Sequence, residues 1–306
     1  MKAVICTQYG EPEVLHIVDM PKPTINDEQV LVKVMSTAVN SADSRVRGLK
    51  VDGFLRIVMR LVLGIHKPRN PILGVVLSGV VEEVGSKVVE FKKGDEIYAM
   101  TGFQFGAYAE YVALSPKTVM ALKPINASFD EAAAIVFGGT TAIYFLQKAG
   151  IATKPEPKVL IYGATGAVGT SAVQIAKSYG AHITAVCSQE GVDLVHSLGA
   201  DEVIIYTEQD FTKLNTQFDI IFDAVGKTTK AQCNHLLAPE GKYKTVGGLE
   251  TASETREQLQ LIKTLFEKGD YQAVIDKVYP IDDIVEAHRY VDMGKKKGNV
   301  VIRVAD

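Results

Sequence analysis

The amino-acid sequence describes an ordinary globular chain and excludes several classes of partner. It has 306 residues, of which 47% are hydrophobic and 23% charged. This length and composition are sufficient for two hydrophobic cores without stabilising disulfides or metal ions. The net charge is −3, and the basic run Lys295–Lys297 is typical of a solvated turn, so we expect no nucleic-acid partner. The three cysteines, Cys6, Cys187 and Cys233, are too scattered for a disulfide framework, and we expect a reducing, cytoplasmic location.

Phe54–Ile65 is the most apolar stretch in the early part of the chain. Arg56, Arg60 and Gly64 interrupt it, and it is shorter than the roughly 18–20 residues of a membrane span. Its apolar residues recur at helical spacing, which predicts an amphipathic helix covering a core or bordering a substrate cleft, with the core favoured. We expect no membrane partner, and no signal-peptide pattern is evident.

Residues 1 to about 122 predict a small β-barrel or sandwich, because short apolar runs alternate with Gly and Pro turns. The expected strands include Lys2–Cys6, Val30–Val34, Gly79–Gly85, Ile97–Met100 and Tyr108–Val112. Ser128–Glu131 then resembles a capping box. We expect one helix from there through Ala134 and a second helix from Thr140 to about Lys148.

From Lys158 onward strands and helices alternate, which predicts an α/β fold with a doubly wound parallel sheet. Strands are expected at Lys158–Tyr162, His182–Cys187, Glu202–Tyr206, Asp219–Asp223 and Gly241–Val246, and helices at 170–179, 192–198 and 228–237. After Gly269 short pieces return and end in a strand, Asn299–Val304.

A glycine turn between the first of these strands and its helix predicts a dinucleotide site. The predicted cofactor-binding residues are Ala164, Thr165, Gly166, Ala167, Val168 and Gly169. Gly166 lets the backbone approach a pyrophosphate, and Gly169 lets the helix pack closely on the strand. The alternative is a tight turn that binds nothing, but the strand–turn–helix context is the one that the motif requires.

The end of the second strand favours NADP over NAD. An NAD site usually has Asp or Glu there to bind the ribose hydroxyl, and the chain has Cys187 and Ser188. Ser188, with Tyr206 at the end of the neighbouring strand, is the predicted binder of a 2′-phosphate. Glu190 follows closely, so NAD stays open as the alternative.

Several linked motifs resemble the medium-chain dehydrogenase/reductase superfamily. Gly74–Gly85 with Phe91–Tyr98 resembles its GroES-like signature, and Ala164–Gly169 resembles its nucleotide turn. Further similar segments are Phe105–Tyr111, Leu198–Asp201, Asp223–Gly226, Glu286–Arg289 and Gly298–Val301. The similarity covers nearly the whole chain, and the quinone oxidoreductase branch, with its zinc-type alcohol dehydrogenase-like relatives, resembles it most.

The resemblance implies a domain order and two further cofactor contacts. It implies a GroES-like catalytic domain over 1–124, a Rossmann domain over 125–268 and a return to the first domain over 269–306. Thr141 matches a family threonine near the nicotinamide, and Val225 lies in the matching segment after a sheet strand, so both are expected to contact the cofactor. The alternative for Thr141 is a helix-start residue without a cofactor role. Gly191 stands where some NADP-using relatives have a lysine, which weakens the preference for NADP.

The resemblance also implies that the enzyme works without zinc. The three positions at which zinc-dependent relatives have ligands hold Asn40, Val75 and Phe137. None of these side chains is a usual zinc ligand, the family's four-cysteine lobe is missing, and the six histidines show no metal-ligand spacing.

A zinc-free site is better suited to reducing a polarised acceptor than to oxidising an alcohol. The leading hypothesis is an NADPH-dependent quinone reductase that acts on a small molecule. The alternatives are an enone, enal or enoyl-thioester reductase and, in another class, a dinucleotide-binding protein without turnover. The resembling quinone reductases place an asparagine at Asn40, and Arg45 stands where they often have a tyrosine, so these two are the candidate catalytic residues. The alternatives are a plain turn residue at Asn40 and a solvent-facing side chain at Arg45. Asp43 is interpreted as a helix cap.

Relatives usually have roughly twenty more residues around Val246–Thr255, where the family commonly forms an edge strand of a dimer. Either this segment is truly shortened or residues are missing from the sequence. A homodimer is therefore only a possible partner state.

Overall fold

The computed structural model describes residues 1–50 and 53–305. The strands are β1 (Lys2–Cys6), β2 (Leu15–Asp19), β3 (Val30–Val39), β4 (Val76–Val84), β5 (Glu96–Met100), β6 (Tyr111–Leu114), β7 (Val119–Leu122), β8 (Lys158–Tyr162), β9 (His182–Cys187), β10 (Glu202–Ile205), β11 (Phe218–Asp223), β12 (Leu237–Thr245), β13 (Ile275–Pro280) and β14 (Asn299–Arg303). The α-helices are α1 (Ser41–Gly48), α2 (Phe54–Leu63), α3 (Phe129–Lys148), α4 (Ala167–Ser178), α5 (Val192–Ser197), α6 (Lys230–Cys233), α7 (Arg256–Lys268) and α8 (Ile284–Asp292).

The first compact unit comprises Met1–Val136 and Ile275–Asp306. Its main sheet has the order β13-β14-β3-β4-β5-β7, and β6 also pairs with β3. The long strand β3 is central because Val30, Val32 and Val34 are β-branched and apolar, and most of the side chains along it are buried. This is the β-rich part that the sequence predicted.

The second unit, Phe137–Val274, contains a parallel sheet with the order β10-β9-β8-β11-β12. Leu160, Val186 and Ile221 from three of its strands are fully buried in one core cluster. The chain crosses over between β8 and β11, so the carboxyl ends of these two strands form the point at which the strand order reverses. The predicted α/β class is thus confirmed, whereas the domain limits at 124/125 and 268/269 stay predictions.

Residues 129–148 form one helix, and the predicted break between two helices is wrong. Gly138 and Gly139 continue α3 because both allow close packing. A Cβ at Gly138 would lie 2.2 Å from the carbonyl oxygen of Ala167, and one at Gly139 would lie 2.5 Å from Ile262 Cδ1. Among the described residues α3 is the one helix long and apolar enough to cross a membrane, and 78% of that stretch is buried inside the protein.

Three other local predictions differ from the structure. The expected helix at 228–237 is reduced to α6 and a 3₁₀ turn, because β12 begins at Leu237. The strand expected from Tyr108 begins only at Tyr111, and Tyr108 is instead fully buried beside the sheet. The face of α2 that was expected to cover a core exposes Ile57 and Leu61 to solvent.

In the described part of the second sheet, β12 is the last strand at its edge. After Thr245 the chain turns back, and Gly247 packs so closely on Gly226 that a Cβ there would lie 2.5 Å from the Gly226 Cα. Glu250 then forms ion pairs with Lys148 and Lys244. The packing of Gly247 and the ion pairs of Glu250 therefore hold this short connection in place before α7 begins at Arg256.

Candidate functional site

The glycine turn after β8 has a geometry that two of its glycines enforce. Gly163 has φ +76°, and a Cβ there would lie 2.0 Å from Val225 Cγ2. A Cβ at Gly169 would lie 2.1 Å from the carbonyl oxygen of Gly163. Both positions are filled by neighbouring atoms: glycine at 163 allows Val225 to approach, and glycine at 169 allows α4 to pack closely on the turn after β8.

Gly166 differs, because the space above it is open. The nearest atom to a Cβ at Gly166 would be the Gly163 oxygen, at 3.7 Å. Gly166 is the N-cap of α4, and no side chain caps the helix or places a negative charge in its first turn. The backbone N–H groups of that turn therefore remain available for an anion, and the helix dipole favours one. A dinucleotide pyrophosphate fits this arrangement.

The loop after β11 lies opposite the glycine turn, at the point where the strand order of the sheet reverses. The buried Asp223 carboxylate accepts hydrogen bonds from the N–H groups of Val225 at 3.0 Å, Gly226 at 2.8 Å and Thr228 at 2.7 Å. These bonds hold Val225 over Gly163 with its side chain 44% exposed. Sequence analysis included Val225 but missed Asp223. An Asp that ends an apolar strand three residues before a Gly is the signal for such a turn.

Ser188 and Tyr206 come together at the carboxyl ends of β9 and β10. The N–H of Tyr206 donates to the carbonyl oxygen of Cys187 at 3.1 Å, and both Ser188 and Tyr206 reach solvent. Gly191 lies beneath Thr165, whose Cγ2 would be 2.3 Å from a Cβ at Gly191. A side chain at 191 would therefore require the Thr165 side chain to move.

Thr141 lies on α3, close in sequence to the contact between α3 and α4. It is three residues after Gly138, hence on the same helix face, and Gly138 packs on Ala167 at the start of α4. Thr141 is 6% exposed. The predicted cofactor residues of the second unit thus surround the glycine turn or lie on the helix that packs against it.

In the first unit, Asn40 caps α1 and is held by Asp43. The Asp43 carboxylate accepts from the backbone N–H of Asn40 at 2.9 Å, and the two residues form a capping box, as the interpretation of Asp43 required. Asn40 is 2% exposed, its Nδ2 lies 3.5 Å from the Ala38 carbonyl oxygen, and its side chain also hydrogen-bonds the Asp43 carboxyl. Arg45, the second candidate, is exposed on the same helix.

A buried polar cluster supports Asn40 from behind. Burial raises the pKa of Asp43 to about 7, and it raises the pKa of Tyr108, whose hydroxyl faces this carboxyl. Tyr108 packs edge-on against His288, with ring centroids 5.7 Å apart. Burial lowers the pKa of His288 to about 3, so the imidazole is neutral at physiological pH. Gly74 allows this packing, since a Cβ there would lie 2.6 Å from the Tyr108 ring. The sequence did not predict that Tyr108 packs against Asp43, because no local pattern links the two residues.

The described residues contain no group of three or more His, Cys, Asp or Glu side chains that could hold a metal ion. Of the three positions where zinc ligands are found in zinc-dependent relatives, Asn40 and Val75 are buried and Phe137 is partly buried. Independence from zinc stays a prediction.

Comparisons with known proteins agree with this fold. Residues 26–124 match the family of alcohol dehydrogenase GroES-like domains, and residues 167–278 match that of zinc-binding dehydrogenases. A 2-methylene-furan-3-one reductase from Solanum lycopersicum is 35% identical over 99% of this chain and 79% of its own length. An NADPH-dependent alkenal/one oxidoreductase from Arabidopsis thaliana is 31% identical over the same shares.

A solved structure of similar fold is the quinone oxidoreductase from Coxiella burnetii. It is 27% identical, with a TM-score of 0.84 over 100% of this chain and 99% of its own. The chain therefore belongs to the medium-chain dehydrogenase/reductase superfamily, in its quinone oxidoreductase-like branch. It is an oxidoreductase, and its substrates are small molecules.

Proposed function

We propose that this protein transfers hydride from NADPH to a conjugated carbonyl compound, either a quinone or an enone. The observation that carries the proposal is the uncapped start of α4, where the open space at Gly166 meets unpaired backbone donors. Similarity over nearly the whole chain to a quinone oxidoreductase, a 2-methylene-furan-3-one reductase and an alkenal/one oxidoreductase supports this acceptor class.

The residues of the second unit would bind and orient the dinucleotide. The first turn of α4 would bind the pyrophosphate, and the hydroxyls of Ser188 and Tyr206 would bind the 2′-phosphate. Val225 and Thr141 would pack against the nicotinamide half. When bound, NADPH supplies the hydride. The name of the Arabidopsis thaliana relative supports NADPH as the donor, and Glu190 makes NADH the donor to compare.

Asn40 would donate a hydrogen bond from Nδ2 to the acceptor's carbonyl oxygen. Quinones and enones both gain negative charge on that oxygen as hydride arrives, and a fixed amide donor stabilises it more in a buried site than in water. Solvent would supply the final proton. Neither step requires zinc. The three cysteines are buried and form no disulfide, which supports a reducing compartment, and we propose the cytoplasm.

The test follows NADPH consumption by the purified full-length protein in the near ultraviolet. One arm uses a bulky ortho-quinone, another uses an aliphatic enone, and both are repeated with NADH. Turnover in either NADPH arm supports the proposal and identifies the preferred acceptor. Binding of NADPH without turnover in any arm would instead indicate a dinucleotide-binding protein.

A substitution at Asn40 separates its catalytic role from its role as helix cap. Asn40→Ser keeps a capping oxygen but removes the amide donor, whereas Asn40→Ala removes both and costs about 1 kcal/mol in stability. We expect both variants to lower kcat by about tenfold or more and to leave NADPH affinity nearly unchanged. Asn215→Ala, at an exposed position, is the control. Unchanged kcat in Asn40→Ser would remove Asn40 from the mechanism.

A further inference from the structure

The exposed face of α2 has the composition of a lipid-binding surface. Ile57, Leu61 and Val62 are 58%, 61% and 56% exposed, and Ile65 just after the helix is 56% exposed. The opposite side of the helix is anchored in the protein by Leu63, which is buried. Scattered apolar residues are normal on a surface, but four of them within nine positions form a contiguous apolar face.

Contacts at the C-terminal end of α2 hold this face in position. The Tyr9 hydroxyl donates to the Gly64 carbonyl oxygen at 2.8 Å. Arg69 donates from its backbone N–H to the Leu63 oxygen at 2.7 Å and from Nη2 to the Leu61 oxygen at 2.8 Å. The helix end is thus capped by fixed partners, and the apolar side chains remain outside.

An exposed aromatic residue lies on a turn that is tied to the same segment. The Asn70 amide donates to the Gln104 carbonyl oxygen at 2.6 Å, and the neighbouring Phe103 is 76% exposed. Aromatic and aliphatic side chains together on an amphipathic surface are typical of helices that lie in a membrane interface.

The charge of the segment indicates which surface it would meet. Residues 53–72 contain Arg56, Arg60, Lys67 and Arg69 and no Asp or Glu, although the whole chain carries a net charge of −3. A second copy of the chain docking here would bring two such basic segments together, which is unfavourable. An anionic lipid bilayer matches both features, because its negatively charged headgroups attract the basic residues and its apolar interior accepts the apolar side chains.

We propose that α2 attaches this protein reversibly to anionic lipid bilayers, with its apolar face in the headgroup region. The helix has 10 residues, too few to span a bilayer, but lying in the interface does not require that length. The sequence predicted no membrane partner because this stretch is too short to span a bilayer, and attachment in the interface departs from that prediction. This proposal is independent of the proposed function, because lipid binding needs neither NADPH nor an acceptor.

The experiment is flotation of the full-length protein with phosphatidylcholine vesicles, with and without phosphatidylserine, at low and high salt. We expect binding only when phosphatidylserine is present, and a clear loss at high salt. Ile57→Ser with Leu61→Ser should weaken binding by about tenfold or more, since each side chain loses its apolar contact. Val89→Ser with Leu249→Ser, at positions 93% and 85% exposed, is the matched control.

A second pair of variants tests the charge. Arg56→Glu should weaken binding by about fivefold or more, whereas Lys93→Glu, which is exposed elsewhere, should not. Urea unfolding of each variant, measured without vesicles, serves as the folding control. Absence of vesicle binding, equal binding to neutral vesicles, or unchanged binding of the Ile57/Leu61 variant would each overturn the proposal. Self-association that this variant abolishes would instead identify a second copy as the occupant.

Discussion

Replacing two glycines of the same turn with alanine should separate folding from cofactor binding. In Gly169→Ala the new Cβ would lie 2.1 Å from the Gly163 oxygen and 2.7 Å from the Ala164 Cα. Both are backbone atoms of the turn, so no side-chain rotation relieves the overlap. In Gly166→Ala the nearest atom is 3.7 Å away, and the backbone conformation, φ −75° and ψ 173°, suits alanine.

The magnitudes follow from these distances. A carbon–oxygen overlap of this size requires a shift of roughly 1 Å between β8 and α4, and such overpacking costs about 1–3 kcal/mol. Gly166→Ala loses a good N-cap residue but also restricts the unfolded chain, and these opposing effects leave its stability within about 0.5 kcal/mol of the wild type. Its methyl group, however, occupies the space that a pyrophosphate would approach, so NADPH affinity should fall by about tenfold or more.

The assay is urea unfolding of each variant, together with NADPH titration followed by cofactor fluorescence. Gly169→Ala should lose stability, and Gly166→Ala should lose affinity with stability retained. Equal stability of the two variants would refute the packing argument. Unchanged NADPH affinity in Gly166→Ala would refute the assignment of the turn as the pyrophosphate site.

Three further outcomes are expected. Burial raises the pKa of Asp43 from 3.8 to about 7, so the native carboxyl contributes stability that is full below about pH 4 and is lost as pH rises through about 7. Between about pH 5 and pH 8, the free energy of unfolding of Asp43→Asn, measured in urea, should therefore rise by about 2 kcal/mol relative to that of the wild type. His288, with its pKa lowered, acts in the opposite sense, since its contribution is lost as pH falls from about 6.5 towards 3, but it is common to both proteins and cancels. The exposed Glu240 has φ +66°, so Glu240→Gly should raise stability by about 0.5–1 kcal/mol, whereas Glu208→Gly, where φ is not positive, should not; an unchanged thermal midpoint would contradict this. Dialysis against a chelator should leave turnover unchanged, and activity that is lost and then restored by zinc would overturn the zinc-free proposal.

Much of the second unit could be predicted from the sequence because its signals are local. The apolar run Val159–Ile161 predicts a buried strand, and the glycines at 166 and 169 predict the turn that follows. Ser188 and Tyr206 could be paired from the ends of adjacent strands alone, since parallel strands bring their carboxyl ends to one edge. The family resemblance then added Asn40, which no pattern near it would have identified.

Contacts between distant segments decided the remaining features. Whether Gly138 and Gly139 break a helix depends on Ala167 and Ile262, which lie far along the chain, and the sequence pattern therefore predicted two helices where there is one. The same holds for Asp43, whose pKa depends on burial beside Tyr108.

The sequence by itself determined the alternation of strands and helices, the dinucleotide turn and the absence of usual zinc ligands at the family's positions, because these depend on residue type and spacing. Only the tertiary structure decided at which glycines the space for a Cβ is occupied by neighbouring atoms and at which one it is open. It also decided which face of α2 remains exposed. Side-chain periodicity identifies an apolar face but not what covers it, since burial depends on where the rest of the chain folds.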